Sequence, residues 1–87
     1  MAQLTISPSG RRDFEVRVRE GGRETKHQVT VPDEAEFGDQ DLQRVVRESF
    51  EFLLEREPAS SIMSRFSLSD ISTYFPEYSA ELARRLA

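Results

Sequence analysis

The strongest constraint on the fold is a Gly-Gly pair between two runs of alternating residues. From Arg12 to Arg19 the chain reads Arg-Asp-Phe-Glu-Val-Arg-Val-Arg. Phe14, Val16 and Val18 therefore share one face of an extended strand, and Asp13, Glu15, Arg17 and Arg19 share the other. Gly21 and Gly22 follow, and glycine reaches the positive φ that a two-residue hairpin turn demands at both positions. Folding about that turn sets Val18 opposite Thr25, Val16 opposite His27 and Phe14 opposite Val29. On the other face Arg19 meets Glu24 favourably and Arg17 meets Lys26 unfavourably. A slip by one residue would turn Lys26 or Gln28 to the core, so the register is tightly specified.

Leu4-Thr5-Ile6 reads as a short earlier strand, with a turn at Ser7-Pro8-Ser9-Gly10. The three segments make an antiparallel meander that ends at Val31-Pro32, because proline cannot donate to a ladder. After Gly38 the period changes from strand to helix. Asp39 reads as an N-cap, with Asp41 in the first turn of a helix running to about Glu57. At about 100° per residue, its apolar positions Leu42, Val45, Val46, Phe50, Phe52, Leu53 and Leu54 span about 200°, wider than a helix covered on one side needs. Pro58 stops this helix and opens a short one to Arg65, with Ile62 and Met63 buried. Ser67-Leu68-Ser69-Asp70 has capping-box spacing before a helix carrying Leu68, Ile71, Tyr74 and Phe75. In a last segment after Pro76, Tyr78, Leu82 and Leu86 fall on one face. The expected fold is thus α+β: a hairpin or three-stranded meander, then a long helix and short C-terminal helices. It forms one domain over residues 1–87, with a β part (1–38) and an α part (39–87).

Composition then narrows function. The 87 residues include no Cys and one His, which excludes a disulfide framework, a thiolate zinc site and a nucleophilic thiol. The formal charge is −4, −1 of it before residue 39 and −3 after, with eleven Arg and one Lys. Such a balance is a poor start for nucleic-acid binding, where phosphate contacts dominate affinity. No apolar run is long enough to span a bilayer and no export signal opens the chain, so a cytoplasmic protein away from membranes is expected. The surplus of Arg over Lys fits the codon usage of a GC-rich bacterial genome.

Candidate chemistry is sparse. His27, on the core side of the hairpin, is the one group suited to general base work, and the sequence nominates no partner for it. A hydrolase or isomerase built on His27 and a nearby Glu therefore ranks last. Glu48, Glu51 and Glu55 line one helical face and read as a solvated stripe rather than a cation site. Neither a phosphate loop nor a catalytic triad, nucleophile elbow or zincin motif occurs. The chain is thus expected to be a non-catalytic protein-interaction or regulatory module without cofactor or metal, meeting a protein partner or itself as a homodimer. Phe37, Phe52 and Leu54 are the candidate contact residues. Phe52 and Leu54 lie at opposite ends of the wide apolar arc, and Phe37 stands alone in an acidic connection. The alternative is a nucleic-acid-associated regulator, antitoxin-like or accessory to transcription, using Arg17, Arg19, Arg23, Arg84 and Arg85.

The stretch Phe52 to Tyr78, with F-L-L-E-R-E-P, S-I-M and F-S-L-S-D-I-S-T-Y-F-P-E-Y, resembles one found in a set of short uncharacterised bacterial proteins. The resemblance covers about a third of the chain. It implies a compact bacterial domain whose helices break at Pro58 and Pro76, and it brings no activity, cofactor or catalytic residue.

Overall fold

The computed structural model describes residues 3–32 and 41–87. The hairpin forms in the expected register. Strands β2 (Asp13–Glu20) and β3 (Arg23–Thr30) pair antiparallel, with Val18 on Thr25, Val16 on His27 and Phe14 on Val29. Gly21 and Gly22 take φ of 59° and 80°, both in the left-handed region the turn requires. Strand β1 (Gln3–Pro8) lies antiparallel on β2, placing Ile6 beside Val16 and Leu4 beside Val18. The turn between them falls later than Ser7–Gly10. Pro8 is still in the strand, and the Ser9 and Gly10 amides both donate to the Asp13 carbonyl.

Proline is tolerated there for a geometric reason. In a two-residue hairpin the residues flanking the turn form a hydrogen-bonded pair, and such pairs alternate away from it. Phe14, Val16 and Val18 therefore turn their backbone groups toward β3. Their partners Pro8, Ile6 and Leu4 turn theirs to the open edge, where a missing N–H costs no ladder bond.

The α part corrects three expectations. Helix α1 is shorter than expected, Leu42–Leu54, and its cap is Asp41, whose carboxylate accepts from the Gln43 amide at 3.0 Å; Asp39 lies outside the described residues. The winding tightens at its end, where the Arg56 and Glu57 amides both donate to the Leu53 carbonyl. Pro58 disfavours helical φ/ψ at Glu57 and prevents continuation. The expected helix from Pro58 to Arg65 is replaced by one 3-10 turn, Ala59–Ser61, and a strand β4 (Arg65–Ser67). β4 pairs parallel with β3, Val29 beside Phe66, so the sheet has four strands in the order β1-β2-β3-β4. The outer backbone groups of β3 would otherwise stand unpaired over the buried Phe66, and satisfying them outweighs local helical preference. One strand therefore comes from the half expected to be purely helical.

After β4 the capping box forms as spaced: Ser67 accepts from the Ser69 amide and Asp70 from the Ser67 amide. The 3-10 turn Leu68–Asp70 runs into α2 (Ile71–Tyr74), and α3 (Tyr78–Leu86) closes the chain with Tyr78 and Leu82 buried. One core joins all layers, from Ile6, Val16, Val18 and Val29 of the sheet through Val45, Val46, Phe50 and Leu53 of α1 to Leu68, Ile71 and Leu82. The wide apolar arc of α1 is used on both flanks. Phe50 packs toward the sheet against His27 and Phe66, while Phe52 packs against Phe75 and Tyr78. Ser49 is buried on that arc too, hydrogen-bonded to the Val45 carbonyl and, at 2.6 Å, to the Tyr78 hydroxyl. No helix among the described residues is long and apolar enough to cross a membrane.

Candidate functional site

The end of α1, the segment entering β4 and the end of α2 converge on a groove of about 460 Å³. Leu53, Ile62, Phe66, Ile71 and Phe75 wall it, and Glu57, Met63 and Tyr74 stand at its margin. That volume lies in the usual range for small-ligand and side-chain pockets. Met63 (43% exposed) and Tyr74 (65%) are the two large hydrophobic side chains exposed among the described residues, and both line this groove. Met63 corrects an expectation of burial. It precedes a strand instead of facing inward from a helix. Tyr74 ends a four-residue helix whose inward position is taken by Ile71.

His27 helps to hold the groove's rim. It is buried, its ring tilted against that of Phe50 at 5.4 Å, with Nδ1 2.8 Å from the Met63 carbonyl and Nε2 2.8 Å from the Thr25 hydroxyl. A carbonyl can only accept, so Nδ1 carries a proton and donates to Met63, while Nε2 shares a hydrogen bond with the Thr25 hydroxyl, which can act as donor or acceptor. Neither nitrogen is bonded to a carboxylate; Nδ1 ties β3 to Met63, two residues ahead of β4, and Nε2 is bonded within β3. The ring acts here as a structural bracket.

The candidate contact residues separate. Phe52 is fully buried, its ring edge-on to Phe75 at 5.9 Å and Tyr78 at 5.3 Å, with the Arg56 guanidinium 3.7 Å above it. It belongs to the core and is closed to a partner in this fold. Leu54 is half-buried against the core, and Phe37 lies outside the described residues.

The arginines are largely neutralised. Arg17 pairs with Glu15 at 2.9 Å, Arg19 with Glu24 at 3.4 Å and Arg84 with Glu81. Arg85 is mostly enclosed and reaches Glu55 at 2.7 Å, Glu81 at 3.3 Å and Glu48 at 3.7 Å. Arg23 is exposed at the far end of the hairpin. Two members of the α1 carboxylate stripe are thus occupied by one guanidinium from α3. The Arg85 hydrogen bond holds the Glu55 carboxyl below the usual carboxylate range, and the same bond raises Arg85. Glu77 is lowered by its own backbone amide first and by Arg56 second. No group of three or more His, Cys, Asp or Glu among the described residues could hold a metal ion.

Glu57, Met63 and Tyr74 were not singled out from sequence as contact residues. Only Glu57 carried a local sign, a charged residue directly before the proline that ends a helix. The other two depend on the parallel strand. No protein-family model, curated protein or solved structure gives a significant match to the chain.

Proposed function

We infer that the chain is a small non-catalytic protein-interaction module and that the groove between α1, β4 and α2 is its contact face. The observation that supports this reading most is the placement of Met63 and Tyr74 on one groove. Exposed apolar side chains scattered singly need no explanation, whereas a grouped pair beside a concavity marks a contact surface. The groove can meet another protein or a second copy of the chain as a homodimer. Strand addition at β1 is the weaker route, because Pro8 offers no N–H and Gln43 of α1 already donates to the Ile6 carbonyl at 3.1 Å.

The test is a selection of binders from a random-peptide library on the full chain, each survivor then measured on a Met63→Ser/Tyr74→Ser variant. Both side chains are exposed, so the variant should fold with little loss. Survivors that lose affinity for the variant support the reading. An empty selection, or survivors indifferent to the variant, refutes it.

A further inference from the structure

Glu57 stands at the margin of the groove without a counter-charge among the described residues. It is half-buried, follows α1 by three residues, and its carboxylate makes no hydrogen bond or ion pair with any described residue. Its neighbour Arg56 is committed elsewhere, stacked on Phe52 and bonded to the Phe52 carbonyl and the Glu77 carboxylate. This sets Glu57 apart from Glu48, Glu55, Glu77 and Glu81, each of which holds an arginine.

Filling the groove removes water from beside Glu57. A purely apolar occupant would strip hydration from a carboxylate and return nothing. An anionic occupant would be repelled. An occupant with an apolar body and an adjacent cation satisfies both the walls and the charge, and the aromatic rings of Phe66, Tyr74 and Phe75 add attraction for a cation.

We propose that the groove takes a segment of another protein in which a bulky apolar residue is flanked by Lys or Arg. The apolar side chain lies against Leu53, Ile62 and Phe66, and the cation sits at Glu57. This rests on the reading of the groove as the contact face and adds the chemistry of what fills it.

The test follows backbone amide shifts of the full chain by NMR with three probes sharing one aromatic body: phenethylammonium, phenethyl alcohol and phenylacetate. The groove should bind the cation best and the anion worst. The advantage of the cation over the alcohol should be about two- to fivefold, as expected for a partly exposed ion pair. In Glu57→Gln that advantage should vanish while the alcohol binds as before. Equal binding of all three probes overturns the pairing at Glu57 and leaves the groove as a contact face. If no probe shifts the groove residues, both readings fall. Groove shifts that depend on protein concentration without any probe would assign the site to a second copy and overturn the proposed partner.

Discussion

Phe52→Ala separates a core residue from a contact residue. Phe52 is fully buried, so truncation removes a whole ring from packed surroundings. Deleting a core Phe costs about 3–5 kcal/mol. The two edge-on ring contacts, at 5.9 and 5.3 Å, and the Arg56 guanidinium at 3.7 Å place this site in the upper part of that range. An 87-residue domain is expected to have a stability of about 4–13 kcal/mol in all, so the loss is a third of the total or more. At about 4–8 °C per kcal/mol for a domain of this size, the thermal midpoint should fall by at least about 15 °C. Far-UV circular dichroism during heating and in urea reads this directly, with Tyr74→Ala as the exposed control, expected to change stability by no more than about 0.5 kcal/mol. A Phe52→Ala midpoint within a few degrees of the wild type would show that the ring is not enclosed by α2 and α3.

Two further outcomes test the charge network and the hairpin. The folded-state pKa of Glu55 is lowered by Arg85, so its contribution is present above the unfolded value of about 4.3 and is lost as pH falls through the folded value. Arg85→Gln should therefore lower stability at neutral pH and flatten its loss below about pH 4.5; identical acid profiles for variant and wild type would refute the pairing. Gly22→Ala should cost about 1–2 kcal/mol from backbone strain alone, since φ is +80° and a Cβ there would meet nothing within 4 Å. A urea midpoint equal to that of wild type would contradict the turn geometry.

The parts of the fold legible in the sequence are those fixed by short-range chemistry. The β2–β3 register follows from Gly21-Gly22 and strict alternation, and the Ser67–Asp70 box from side chains three residues apart. Residues 58–65 depart from the expected helix because their structure depends on a distant partner. Ile62, Met63 and Phe66 suit a helix as well as a strand, and only the unpaired side of β3 decides between them. Phe52 was ambiguous for a related reason. A wide apolar arc says that two surfaces cover the helix, and the second turned out to be the chain's own α2 and α3. The groove inherits this difficulty, since Met63 and Tyr74 reach its rim only once β4 has formed.

The pairing of β3 with β4 also has a consequence in time. The β2–β3 hairpin closes locally, on a scale of about 1–10 μs, whereas pairing Phe66 with Val29 closes a long loop that contains α1. β4 is three residues long and paired on one side, so it is expected to open more readily than the longer strands of the sheet. Its departure would unmake the groove while the hairpin stays intact, because Ile62, Met63 and Phe66 lie in or next to it. Occupying the groove and completing the sheet are then one linked equilibrium. A bound segment should slow amide hydrogen exchange at Phe66 by a free energy of RT ln(1 + [L]/Kd), growing as its concentration rises above Kd.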